Sequence, residues 1–192
     1  MINENLPVIC FIGPSGSGKT TIIEALISSL PKYNIGTIKF IHHPVLNIDP
    51  IGKDTQRHRE AGAKFSLCFA QNETALIINR TKRGSLEDLN HFLQLEENVL
   101  PSIDFIFSEG PRIPPKNIPV VLTGKTKEDL KNYSLKLEIN PILAISGIIG
   151  TKISSWQNRS VFNVYDDKSL KAFVGRINNF LKSHLNQEIR DQ

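Results

Sequence analysis

The sequence predicts an α/β fold: a doubly wound, mainly parallel sheet with one antiparallel hairpin insert. Three observations carry that prediction. Short apolar runs rich in strand formers alternate with stretches whose apolar residues recur at helical spacing. The first of those runs breaks into "GPSGSGKTT" (13–21), a glycine-rich turn between a strand and a helix. Two further strand-like runs, at 64–70 and 74–80, are separated by only "QNE", which suits a hairpin.

The elements follow in order. "LPVICFIG" (6–13) is a buried strand ending at Gly13. "KTTIIEALISSL" (19–30) spaces Ile22, Ile23, Leu26, Ile27 and Leu30 as a helix, and Pro31 closes it. "IGTIKFI" (35–41) is a second strand, and "HHPVLNIDPIGKD" (42–54) is a loop without periodicity. "DTQRHREAGA" (54–63) is a short polar helix stopped at Gly62. After the 64–80 hairpin, "SLEDLNHFLQLEENVL" (85–100) carries an apolar stripe and an acidic capping box, Ser85 with Asp88. "IDFIFSEG" (103–110), "IPVVLTG" (118–124), "PILAIS" (141–146) and "VFNVY" (161–165) are strand candidates. "DDKSLKAFVGRINNFLKSHL" (166–185) is an amphipathic terminal helix. No repeat or low-complexity linker interrupts 1–192, so one domain is expected, with the hairpin as a candidate dimerisation surface.

Composition bounds the function. The chain has 192 residues, 40% of them hydrophobic, enough to bury a real core. A net charge of +4 suits an anionic ligand and is too weak, and too scattered, to imply nucleic acid. Cys10 and Cys68 each sit in an apolar run with no metal-spaced partner and read as reduced core residues. No apolar run reaches membrane-span length, and "MINENLPV" is not a leader, so a cytoplasmic setting is the default expectation.

Residues Gly13, Pro14, Ser15, Gly16, Ser17, Gly18, Lys19, Thr20 and Thr21 form the phosphate cradle of a P-loop, G-x-x-x-x-G-K-[ST]. Its glycines let backbone amides turn toward phosphate oxygens, and the helix behind adds its positive end. Lys19 is placed to reach the β- and γ-phosphates, and the Thr20 hydroxyl can ligate Mg²⁺. The strand before and the helix after are the context the motif requires.

Such a site needs an acid for the metal or the attacking water. Glu109 ends an apolar strand, where parallel sheets present ligand groups, whereas Asp104 begins that strand and belongs at the far end. Asp49 and Asp54 lie in or beside the loop after the second strand and are open to either a metal or a capping role. "LTGKT" (122–126) lacks the first loop glycine and is not a second P-loop. "TKED" (126–129) fits a guanine-reading motif and equally a turn entering a short helix. His42, His43 and His58 suggest a metal weakly, and Arg57, His58 and Arg59 make a candidate anion site.

"GPSGSGKTT", then "GTIKFIHHPVLNIDPIGKDTQRHREAGA" (36–63), then "DFIFSEGPR" (104–112), in this order, resemble the molybdopterin-guanine dinucleotide biosynthesis protein B (MobB) family. The middle block carries the specificity, and the good match covers 8–112. The resemblance implies a P-loop NTPase fold, GTP and Mg²⁺ as ligands, and weak GTPase activity. It implies assistance to a MobA-type guanylyltransferase that attaches GMP to molybdopterin, and a homodimer joined through the hairpin region. It makes Lys19 and Glu109 the catalytic candidates and Thr20, Asp54 and Glu109 the metal candidates. His42, His43, Arg57 and Arg59 become candidates for the pterin. The sequence departs from the family at Phe40, Ile51, Pro111 and Arg112. At Gly147 it departs where an acid that could read guanine often follows Ser146, so guanine against adenine is left open.

Two rivals use the same cradle differently. A small-molecule P-loop kinase would need a basic lid, for which "NRTKRGS" (79–85) is the one candidate. A binding or scaffold module would keep the P-loop as a structural element, with neither hydrolysis nor acceptor phosphorylation.

Overall fold

Along the chain run β1 (Val8–Ile12), α1 (Lys19–Ser29), β2 (Ile35–Lys39), α2 (Asp54–Glu60), β3 (Phe65–Phe69), β4 (Thr74–Ile78) and β5 (Phe105–Glu109). They are followed by β6 (Val120–Thr123), α3 (Lys127–Ser134), β7 (Ile142–Ser146), a 3₁₀ turn (Ile148–Thr151), β8 (Ser155–Trp156), β9 (Arg159–Ser160) and α4 (Asp167–Glu188). The structure, a computed structural model, describes residues 6–40, 54–63, 65–69, 71, 73–78, 103–110, 114, 116–137 and 140–188. It falls into two compact units, one of Met1–Phe40 with Ser85–Gln192 and the other of Ile41–Gly84.

The larger unit is built on five parallel strands in the order β2-β5-β1-β6-β7. Alternation along the strands sends residues to opposite faces. Ile9, Phe11, Phe105 and Phe107 pack with Ile22, Ile23 and Leu26 of α1 and Phe173, Ile177 and Leu181 of α4. Cys10, Ile12, Val120 and Leu122 meet Leu130 of α3 on the other face. Helices on both faces explain why the strands read as near-continuous apolar runs. Phe107 meets Phe11 and Phe105 edge-on, with ring centroids 5.2 and 5.0 Å apart, and fixes the middle of the first layer. Burial pushes the Cys10 thiol up to about 12, with the nearby Ser108 hydroxyl opposing, as suits an inert core thiol.

The chain starts at β1 and later returns to both of its sides, with β5 next to one edge and β6 next to the other. A crevice at the carboxyl ends of the strands belongs at that reversal. Asp104 lies at the opposite end, where its carboxylate accepts from the Asn34 amide at 2.6 Å, a structural role.

In the second unit, β3 and β4 form the predicted antiparallel hairpin, with Phe65 opposite Ile78 and Leu67 opposite Leu76. Helix α2 ends as predicted, with Gly62 at φ 109°. The predicted helix at 85–100 and the loop 42–53 lie outside the described residues, as does the Cys68 side chain.

"VFNVY" does not form a strand. Val161 makes a single bridge to Ile145, and the chain then turns. Asn163 Oδ1 accepts from the Tyr165 amide, Ser169 Oγ accepts from the Asn163 amide, and Asp166 Oδ1 accepts from the Ser169 amide. These local side-chain bonds outcompete a ladder and start α4. Among the described residues, no helix is long and apolar enough to cross a membrane.

Candidate functional site

Between β1 and α1 the chain makes the P-loop. Gly18 precedes the helix at φ 92° in the left-handed region, and no side chain caps α1. The first-turn amides are thus left for an anion, with the helix dipole behind them. Behind the loop lies a buried polar lock. Thr123 Oγ1 donates to the Ile12 carbonyl at 3.1 Å, so the Ser17 hydroxyl, 2.7 Å away, must donate to Thr123. Ser17 and Thr123 are fully buried, and each hydroxyl is satisfied by the other element.

A second brace comes from the end of β7. Gly147 has φ 110°, and a Cβ there would lie 2.6 Å from the Gly124 carbonyl oxygen and 2.7 Å from that of Ser17. The Ile148 amide donates to the Ser17 carbonyl at 3.0 Å, and the Ile149 amide donates to Gly124 at 2.9 Å. Glycine at 147 is therefore favoured by the close approach of backbone to the P-loop.

Lys19 folds back over its own loop. Its Nζ donates to the carbonyls of Gly13 at 3.0 Å and Pro14 at 2.8 Å. Burial pushes its ammonium below the ordinary lysine value, the Glu109 carboxylate opposes that, and Lys39 and Lys125 add to it. Three cations around one concave loop favour an anion.

Thr20, in the first turn of α1, donates its hydroxyl proton to Glu109, with 3.0 Å to Oε1 and 3.1 Å to Oε2. Glu109 comes from the end of β5, directly beside β1 and in register with Phe11. On its other side lies Lys39, with Nζ 3.6 Å from Oε1. The donated proton leaves the lone pairs of Thr20 Oγ1 for a cation, and a hydroxyl beside a carboxylate is a hard-oxygen set that fits Mg²⁺.

Of the predicted residues, the structure brings together Lys19, Thr20 and Glu109 with the loop Gly13–Thr21. Asp54 and Arg57 belong to the second unit, where they lie 3.8 Å apart and largely exposed. His42 and His43, the Arg59 side chain and the basic segment 79–85 lie outside the described residues.

Asp129 is a capping residue. Its Oδ2 accepts from the amides of Lys125 at 2.9 Å and Thr126 at 3.0 Å, while Thr126 Oγ1 accepts from the Asp129 amide. Desolvation pushes its carboxyl up, but these hydrogen bonds prevail and hold it below the usual carboxylate range. "TKED" thus forms a turn entering a short helix.

Sequence reasoning missed Thr123, the Gly147–Ile148 brace and Lys39. Lys39 was hidden because the sequence carried the second strand on to Ile41, whereas β2 ends at Lys39.

The family model "Molybdopterin guanine dinucleotide synthesis protein B" matches residues 8–140. The molybdopterin-guanine dinucleotide biosynthesis adapter protein of Escherichia coli (strain K12) is 33% identical over 107 residues, 55% of this chain and 59% of that one. Its Haemophilus influenzae counterpart is 36% identical over 90 residues, 46% of this chain and 50% of that one. The chain thus spans little more than half the length of the curated relatives it matches. The crystal structure of Bacillus subtilis MobB superposes with a TM-score of 0.68 at 24% identity, over 89% of this chain and 98% of that one.

Proposed function

The chain belongs to the MobB family, that of molybdopterin guanine dinucleotide synthesis protein B, and from that premise we propose that it binds GTP with Mg²⁺ and assists the guanylyl transfer that makes molybdopterin guanine dinucleotide. The observation that carries this reading is the convergence of Lys19, Thr20 and Glu109 on one crevice at the ends of β1 and β5. On nucleotide binding, Lys19 exchanges the Gly13 and Pro14 carbonyls for phosphate oxygens, and the amides of Gly13–Thr21 hold the rest. Mg²⁺, when bound, offsets phosphate charge that would otherwise repel Glu109. Thr20 and Glu109 are the residues proposed to hold it, while Asp54, the other metal candidate the resemblance offers, belongs to the second unit beside Arg57.

Hydrolysis without a supplied arginine is slow, since positioning and charge are all this loop offers. The anionic pterin is assigned to His42, His43, Arg57 and Arg59. The partner is a MobA-type transferase. The protein acts in the cytoplasm as a homodimer joined through β3 and β4. Turnover of GTP with and without candidate acceptors tests the proposal. Slow Mg²⁺-dependent hydrolysis without an acceptor supports it, and rapid acceptor phosphorylation identifies a small-molecule kinase instead.

A further inference from the structure

Lys39 is the last residue of β2, and the parallel register sets it directly beside Glu109. The Phe40 amide donates to the Glu109 carbonyl at 3.0 Å, which fixes that alignment to the end of the strand. Side-by-side residues in a parallel pair project to the same face, here the face that carries Phe11 and the start of α1. Glu109 therefore sits between the Thr20 hydroxyl on the β1 side and the Lys39 ammonium on the β2 side, with the Lys19 ammonium also in electrostatic reach. The Glu109 side chain is only 15% exposed, whereas that of Lys39 is 60% exposed. At 3.6 Å the pair is held by charge rather than by a directed hydrogen bond.

We propose that Lys39 is a positioning residue of the nucleotide site, which acts through Glu109 to set how strongly triphosphate binding depends on the divalent cation. This rests on the nucleotide-binding reading above. The physical argument is a balance of charges. A lone carboxylate beside the cradle repels a metal-free triphosphate and attracts the metal-bound form. Lys39 offsets that carboxylate from behind. It lets the triphosphate enter without the cation and keeps the cation from being held too tightly. Removing Lys39 takes away one of the two cations that offset Glu109, leaving Lys19 as the other, and more of the carboxylate's charge then faces the phosphates across a partly dry site, where screening is incomplete.

The test is calorimetric binding of a non-hydrolysable GTP analogue, in Mg²⁺ and in EDTA, to the full-length protein. The quantity read is the dissociation constant in EDTA divided by that in Mg²⁺. Lys39→Gln is expected to raise that ratio about threefold or more relative to wild type, the scale of one charge removed at short range. Lys39→Arg keeps the charge and is expected to restore the wild-type ratio. In a Glu109→Gln background, Lys39→Gln is expected to leave the ratio unmoved, since the group it acts through is gone. An unchanged ratio in the single variant overturns the inference alone. So does an equal loss of affinity in both buffers and both backgrounds, which would mark Lys39 as a direct phosphate contact. Wild-type protein that binds no nucleotide in either buffer overturns the inference together with the reading it rests on.

Discussion

Thr20 shares its hydroxyl proton between the two carboxylate oxygens of Glu109, at 3.0 and 3.1 Å. The bond ties the first turn of α1 to the end of β5, two elements 89 residues apart in sequence. It also fixes which way the hydroxyl lone pairs point. Glu109→Gln keeps the shape and removes the charge. Mg²⁺-dependent hydrolysis is expected to fall by ~10²-fold or more, the scale of a positioned catalytic group. Metal-free nucleotide affinity should hold or rise slightly. A small loss of thermal stability with unchanged metal dependence would reduce Glu109 to a structural partner of Thr20.

Gly147→Ala places a methyl group against the carbonyl oxygens of Gly124 and Ser17, at a backbone φ that disfavours any side chain. A loss of at least about 1–3 kcal/mol is expected from the backbone conformation alone. Because the Ile148 amide holds the Ser17 carbonyl, nucleotide affinity should fall as well. Urea unfolding and nucleotide binding on the same preparation check both. A neutral result would mean that the brace behind the P-loop is not needed.

Asp129→Ala removes the carboxylate half of the α3 capping box, leaving the Thr126 cap in place, and should cost about 1 kcal/mol or less, on the scale of cap losses. The preference between GTP and ATP should not change. The pH dependence follows from the depressed carboxyl. Its stabilisation is present above the ordinary carboxylate range, and it disappears as the pH falls through the lower, folded-state value. The variant should lack that part of the acid destabilisation. A collapse of guanine preference in Asp129→Ala would instead make it a base-reading residue.

Dimerisation through the β3–β4 hairpin predicts that Ile78→Glu weakens self-association. Ile78 is 41% exposed and pairs in register with Phe65, and a two-stranded hairpin alone is marginally stable in water. Light scattering at micromolar concentration should give a dimer for wild type and a larger monomer fraction for the variant. Wild-type protein that is monomeric there contradicts the prediction.

The sheet was legible because parallel strands covered on both faces are apolar throughout, and because Lys19–Ser29 repeats its apolar residues at helical spacing. Glu109 was legible from strand-end logic alone. "VFNVY" misled because propensity ignores the side-chain bonds of Asn163 and Ser169 to the backbone. The Ser17–Thr123 lock was invisible, since it joins residues 106 apart whose hydroxyls look ordinary in sequence. Gly147 read as a missing acid. Only the approach of Gly124 and Ser17 reveals why glycine is favoured there.

The central claim is that residues 13–21 hold a nucleoside triphosphate through Lys19. It is tested most directly by titrating GTP with Mg²⁺ into wild-type protein and into Lys19→Ala in a calorimeter, with a thermal melt of each. The account predicts clear binding by wild type, loss of at least tenfold in affinity for the variant, since hydrogen bonds to charged groups are worth about 1.5–3 kcal/mol, and little change in melting temperature. Equal affinities for the two proteins would contradict it.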